Sequence, residues 1–170
     1  MTAAKHHKTV ALIERYSEVG GGCTHWGTIP SKALRHAAKM LQDVRRQPLL
    51  RDYCDVSRLT YPQLLTSANK VIDTQVATRH RFYERNRVPI YSGEASFVDP
   101  HTLEVQSANG KPVRVCGKHI VIAAGSRPYH PPEVDFTHER ICDSDTILRY
   151  GQHPFAVTIY GAGVIGCEYA

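Results

Sequence analysis

The sequence predicts an α/β fold, on three observations. An apolar run, Val10-Ala11-Leu12-Ile13, ends on an acid, Glu14. A second run, Phe155 to Tyr160, leads straight into Gly161-Ala162-Gly163-Val164-Ile165-Gly166. Between them lie two stretches with apolar residues at helical spacing and several short strand-like stretches punctuated by turn residues. Continuous apolar runs suit parallel strands covered on both faces, whereas a 3.6-residue stripe suits a helix with one buried face.

Taken in order, Lys8 to Ile13 reads as a short buried strand closed by Glu14, and Gly20-Gly21-Gly22 as a flexible loop. A helix follows from about Pro30, where a missing N–H does no harm in the first turn. Leu34, Ala37, Ala38, Leu41 and Val44 keep its stripe, and Pro48 ends it. Tyr61 to about Arg87 reads as one long helix, about 40 Å at 1.5 Å per residue. Its stripe is packing surface. Pro89 switches the period: Ile90 to Val98, Thr102 to Gln106 and Val113 to Cys116 read as short strands, with turns at Asp99-Pro100 and Asn109-Gly110. Lys118 to Gly125 is an apolar strand ending in small residues, and Pro128, Pro131 and Pro132 mark an irregular connector.

Composition narrows the class. Of the 170 residues, 42% are hydrophobic and 22% charged, an ordinary balance for a globular protein. No apolar run reaches the roughly 18 residues that would span a bilayer, and Met1 to Val10 lacks the apolar core of a secretory signal. A cytoplasmic setting is the expectation. The five cysteines, Cys23, Cys54, Cys116, Cys142 and Cys167, show no C-x-x-C spacing, and no His pair completes a zinc pattern. No metal is expected. The formal charge of +5 suits an anionic ligand. The basic residues are interleaved with acids and form no stripe with aromatics, which argues against nucleic acid. The ten histidines show no ligand spacing, and His25 and Trp26 read as loop packing.

Gly161, Gly163 and Gly166 form G-x-G-x-x-G between a strand and the helix-like Cys167-Glu168-Tyr169-Ala170. In a Rossmann unit the first glycine makes the tight turn, the second admits a pyrophosphate and the third lets helix and strand pack. The ribose-binding acid expected about 20 residues further on falls beyond Ala170. At the front, Val10 to Glu14 resembles a second Rossmann strand with Glu14 at its tip. On spacing alone Glu14 is equally well a solvated strand-end acid. The glycine loop expected about 20 residues before it falls ahead of Met1. Both dinucleotide units are therefore expected to be incomplete, the chain being truncated at both ends.

Gly20-Gly21-Gly22-Cys23-Thr24-His25-Trp26-Gly27-Thr28-Ile29-Pro30-Ser31-Lys32-Ala33-Leu34 resembles the redox segment G-G-x-C-x4-C-x-P-S-K of the FAD-dependent pyridine nucleotide–disulfide oxidoreductases. Ala123-Ala124-Gly125-Ser126-Arg127-Pro128 is similar to that family's A-x-G-S-x-P strand end, and the second glycine motif to its NAD(P) domain. All three occur in the family's order and spacing. The resemblance implies an incomplete Rossmann-type FAD domain with a long helix and a β-meander over 1–150. The first strand and glycine loop of an NAD(P) domain would follow over 151–170.

One departure matters chemically. The family pattern needs two cysteines five apart, and here Cys23 is followed by Thr28. Threonine cannot bridge or exchange electrons with a thiol, so disulfide reduction by this pair is excluded. The remaining pattern resembles the family's transhydrogenase branch, in which NADPH reduces FAD and reduced FAD passes hydride to NAD+. Cofactors FAD and NAD(P) and a homo-oligomer of the full-length protein are implied, with neither nucleic acid nor membrane as partner.

The resemblance also implies roles. Glu14 would hold the adenosine ribose of FAD. Arg15, Tyr16, Ser17, Glu18, Val19, Gly20, Gly21, Gly22 and Cys23 would wrap the cofactor, and Ala124 and Gly125 would let backbone lie against it. Cys23 would be a lone thiol beside the ring. Lys32, the expected catalytic residue, would sit near the reactive end of the flavin, where a cation favours the reduced form. Gly161, Gly163 and Gly166 would cradle the pyrophosphate of the nicotinamide dinucleotide. The alternatives are another FAD/NAD(P)H oxidoreductase of the superfamily, an oxidase or diaphorase, and an inactive remnant that holds FAD weakly or not at all.

Overall fold

The computed structural model describes residues 1–107 and 110–170. The chain divides into two compact units: Met1–Gly21 with Gln75–Gly125, and Gly22–Thr74 with Ser126–Ala170.

The first unit holds helix α1 (Thr2–Lys5) and strands β1 (Leu12–Glu14), β2 (Ile90–Ser92), β3 (Glu94–Asp99), β4 (Thr102–Gln106) and β5 (Val113–Cys116). β1 and β2 pair in parallel, with Glu14 opposite Ser92, and the Gly93 N–H donates to the Glu14 carbonyl at 2.9 Å. β3, β4 and β5 form an antiparallel meander with a register shift between Phe97 and Asp99. Asp99 accepts the His101 N–H at 2.7 Å, so the Asp-Pro turn works through an Asx-type bond. The stretch read as one strand over 90–98 is two strands. Gly93 divides them with φ +156°, and a Cβ there would lie 2.5 Å from the Gln106 carbonyl oxygen. Only glycine fits that break. Val88 and Val105 are buried in this unit.

The second unit holds the helix α3 (Thr28–Arg46), the short α4 (Pro48–Arg51) and α6 (Val164–Tyr169), with a 3-10 turn at Ile147–Arg149. Helix α2 is Gly21–His25, and of α5 (Tyr61–Arg85) residues 61–74 belong to the second unit and 75–85 to the first. The buried cluster here is Leu34, Leu65 and Leu148, with Trp26, Tyr61, Leu64 and Ile147 packed against it. Pro30 is fully buried in the first turn of α3. Pro48 ends α3 and starts α4, as a residue without an N–H does at an N-terminus. The Tyr61 hydroxyl donates to the Ile147 carbonyl at 2.8 Å, and the His153 ring accepts the Tyr61 N–H at 3.0 Å.

Four expectations need correction. The first strand is Leu12–Glu14, not 8–13, and it is half-buried rather than buried. Among the described residues its ladder bonds run to β2 alone. The glycine loop is shorter than read, because Gly21 already starts α2 and the Trp26 N–H donates to Gly22 O at 3.1 Å. Residues 118–125 and 155–160 join no strand ladder among the described residues. Val121 and Ile122 are 87% and 76% exposed, and Phe155 is fully exposed. A ladder needs a partner, and an apolar run has no strand geometry to hold without one. The Asn109-Gly110 turn falls partly on residues outside the described set.

Candidate functional site

In the first unit, Glu14 stands at the C-terminal end of a parallel strand, the end where α/β sheets bind ligands. Its Oε1 accepts the Tyr16 N–H at 3.2 Å, which fixes the carboxylate at the strand tip. Arg15 donates to the Tyr16 hydroxyl at 2.7 Å and lies 4.8 Å over the Tyr16 ring. Glu18 meets His80 of α5 at 3.0 Å. Val19 is buried and anchors the segment, whereas Ser17 is exposed. Gly20 and Gly21 have φ of +127° and +58°, and a Cβ on Gly21 would meet nothing within 4 Å. Gly125 behaves alike, with φ +74° and open space on its Cβ side, and Ala124 beside it is exposed. Backbone at these positions is bent in a way that glycine alone adopts readily, and at Gly21 and Gly125 it is open on the Cβ side.

The second unit carries Cys23 and Lys32. Gly22 is crowded: a Cβ there would lie 3.1 Å from the Trp26 indole nitrogen. Gly27 is crowded too, its Cβ position 2.9 Å from Gly22 O. These contacts fold the segment from Gly22 to Gly27 into a tight turn that delivers the chain into α3. Cys23 is exposed, and all five cysteines are free thiols. Among the described residues no His, Cys, Asp and Glu groups assemble into a metal site.

In the glycine loop after residue 160 the three glycines have different surroundings. Gly161 has φ +122°, the turn. A Cβ on Gly163 would meet nothing within 4 Å, the open face. A Cβ on Gly166 would collide with the carbonyl oxygen of Gly161, the close approach. Turn, open face and close approach fall on the first, second and third glycines in the order the motif demands. Cys167 is exposed and donates weakly to Ala162 O at 3.5 Å.

Two turns of sequence join into one polar cluster. Lys32 Nζ donates to Glu168 Oε1 at 2.8 Å, and Ser31 Oγ approaches the same oxygen at 3.4 Å. The Lys32 hydrogen bond, first, and its charge hold the Glu168 carboxyl below the usual carboxylate range, helped by Ser31 and Arg35. A cleft of about 430 Å³ is lined by Lys32, Arg35, His36, Lys39 and Glu168. Glu168 and Ser31 were not picked out from the sequence as site residues. The acid lies two residues past the last glycine, which offers a weak cue, but its lysine partner lies 136 residues away.

The family model for pyridine nucleotide-disulphide oxidoreductases matches residues 1–170. The chain belongs to that family. Within it, the chain is 54% identical over 171 residues to the soluble pyridine nucleotide transhydrogenase of Hahella chejuensis, covering all of this chain and 37% of that protein. It is 52% identical over 170 residues to the protein of the same name from Pectobacterium atrosepticum, covering 36% of it. The chain therefore spans just over a third of the length of these relatives. Among solved structures, it matches the Cu(II) complex of the HOCl-induced flavoprotein disulfide reductase RclA from Escherichia coli. The TM-score is 0.81 at 26% identity, over 99% of this chain and 35% of that one. The α/β, Rossmann-like reading of the chain as part of such a flavoprotein stands on these matches. No helix among the described residues is long and apolar enough to cross a membrane.

Proposed function

We propose that the complete protein moves hydride from NADPH to NAD+ through FAD, as a pyridine nucleotide transhydrogenase. One observation carries the reading: the family's redox segment is kept from Gly20 to Lys32, yet Thr28 stands where a disulfide reductase needs sulfur. The relatives at about half identity bear the transhydrogenase name. Bound FAD supplies a carrier that accepts hydride from one nicotinamide and returns it to another.

The residues suit the two cofactors. In this reading residues 1–150 are a partial FAD-binding domain and 151–170 the start of the NAD(P)-binding domain. Glu14 accepts ribose hydroxyls, and the bent Gly20 with the bent, open Gly21 and Gly125 lets backbone approach the cofactor. Arg15 to Val19, Gly22, Cys23 and Ala124 complete the contact. Gly161, Gly163 and Gly166 take the nicotinamide dinucleotide's pyrophosphate. Lys32 brings positive charge to the reacting end of the flavin, with Glu168 balancing it when no substrate is bound. The setting is cytoplasmic and the protein a homo-oligomer.

The test is direct. Purified complete protein is given NADPH and NAD+, and NADH formation is compared with oxygen consumption and with reduction of a disulfide substrate. Transhydrogenation should dominate and the protein should be yellow. Oxygen consumption equal to NADPH loss would move the protein to the oxidases, and turnover of a disulfide through Cys23 would overturn the reading.

A further inference from the structure

Glu168 Oε1 receives two side chains from α3, and one of them is neutral. Ser31 is buried, with 8% of its surface exposed, while Lys32 beside it is largely open to solvent. The Ser31 hydroxyl has one proton and two acceptors within reach: Thr28 O at 3.2 Å, inside its own helix, and Glu168 Oε1 at 3.4 Å. We propose that Ser31 is a positioning residue that fixes the ionised Glu168 carboxylate at the Lys32 ammonium, and so sets where that ion pair sits beside the bound nicotinamide. The placement beside nicotinamide rests on the proposed function; the hold on Glu168 does not.

The physical case has three parts. An exposed Lys–Glu pair is weak and mobile, since two flexible side chains lose entropy to meet and water screens them. Lys32 alone therefore cannot define the carboxylate's position. Ser31 can, because it is buried in the first turn of α3 next to the fully buried Pro30, and its short side chain has one rotatable bond to the hydroxyl. Switching its proton from Thr28 O to Glu168 costs only a rotation about one bond. The switch is favoured when Glu168 is charged, because hydrogen bonds to ionised acceptors are shorter and stronger. When Glu168 is protonated, the hydroxyl falls back on Thr28. Thr28 is also the position where the disulfide reductases carry sulfur, so the same turn that lost one reactive group supplies the fallback acceptor.

The titratable and charged side chains that line the cleft with Glu168 come from α3: Lys32, Arg35, His36 and Lys39. On its own helix Tyr169 is adjacent, its hydroxyl donating to Ser144 O at 3.3 Å and so turned to another partner. Ser31 is the hydroxyl of the set and is buried. Its removal changes no net charge.

The experiment compares wild type, Ser31→Ala and Ser31→Thr in the complete protein. The carboxyl ¹³C signal of Glu168, assigned with Glu168→Gln, is followed through an acid titration. Flavin reduction by NADPH is timed over the same range. In Ser31→Ala the Glu168 titration should move upward, and flavin reduction at saturating NADPH should fall about threefold to tenfold with KM little changed, the loss of one charge-assisted hydrogen bond. Ser31→Thr should restore both. An unmoved Glu168 titration in Ser31→Ala, or a Ser31→Thr protein that titrates like the alanine variant, would overturn the proposal. A protein whose carboxyl signal behaves as expected but whose flavin takes no hydride from NADPH would leave the Ser31 hold standing and remove the proposed function instead.

Discussion

The Lys32 ammonium stands 2.8 Å from the Glu168 carboxylate, joining the first turn of α3 to the helix that follows the glycine loop. Replacing Lys32 with Met should lower the rate of NADPH-to-NAD+ transfer by about a hundredfold, the scale seen when one electrostatic donor is removed from a reacting centre. Lys32→Arg should fall between. The sign of the pH effect follows from the depressed Glu168 carboxyl. The pair contributes above the ordinary carboxylate range and is lost as pH falls through the lowered folded value. Lys32→Met should therefore move the acid-side loss of Glu168 charge to higher pH. A Glu168 titration unchanged in Lys32→Met would refute the pairing.

The three glycines after Tyr160 make separable predictions. Gly166→Ala forces a Cβ into the Gly161 carbonyl, and Gly161→Ala strains a residue at φ +122°. Each should cost about 1–3 kcal/mol of stability in urea unfolding. Gly163→Ala places its methyl in open space. It should unfold like wild type yet bind NADPH about tenfold or more weakly, because the methyl occupies the face where the pyrophosphate lies. Loss of stability in Gly163→Ala, or unaltered NADPH affinity, would show that the loop does not cradle the dinucleotide.

Legibility from sequence followed how local each signal was. The long helix appeared as Tyr61–Arg85 because its stripe repeats for several turns, and the meander matched because Asp99-Pro100 and the alternating runs are short-range signals. The break at Gly93 was missed, since the reason for it is a carbonyl on Gln106 in another strand. Residues 118–125 and 155–160 misled because apolar runs report burial, while a ladder needs a neighbour. At the site, the glycines could be named because each answers a backbone demand. Glu168 and Ser31 could not, because nothing local says which lysine an acid will meet.

Burial gives the second unit an alkaline limit. Desolvation, first, and the nearby Cys142 push the Tyr61 hydroxyl from 10.0 up to about 12, and desolvation likewise raises Tyr169 to about 12. Both phenols are favoured neutral in the fold. Their contribution is present below the ordinary phenol range and is lost as pH climbs from 10 toward 12. Tyr61→Phe should cost about 1 kcal/mol at neutral pH, for the hydroxyl bond to Ile147 O. It should also flatten the loss of stability above pH 10 relative to wild type. Urea midpoints on both sides of that range decide it, and a Tyr61→Phe protein that falls as steeply as wild type would exclude Tyr61 as the cause.

Thr28 offers the sharpest chemical check, since its side chain alone separates this segment from a dithiol. A Cβ at Gly27 would lie 3.6 Å from the Cys23 Cα, so the turn from Gly22 to Gly27 returns the chain close to Cys23 just before Thr28 opens α3. Disulfides need Cα atoms roughly 4.4–6.8 Å apart, and Thr28 is the residue that follows this close approach. Thr28→Cys should therefore form a disulfide with Cys23 under mild oxidation. Thiol titration reads the outcome: the five native thiols plus the introduced one should fall by two, whereas wild type should keep all five. Once formed, the disulfide should take two electrons from one NADPH through bound FAD and open to the dithiol, so that one NADPH per disulfide is oxidised before hydride again passes to NAD+. A Thr28→Cys protein that keeps all its thiols after oxidation would mean that the turn holds the two positions apart, and that more than one missing sulfur distinguishes this chain from the disulfide reductases.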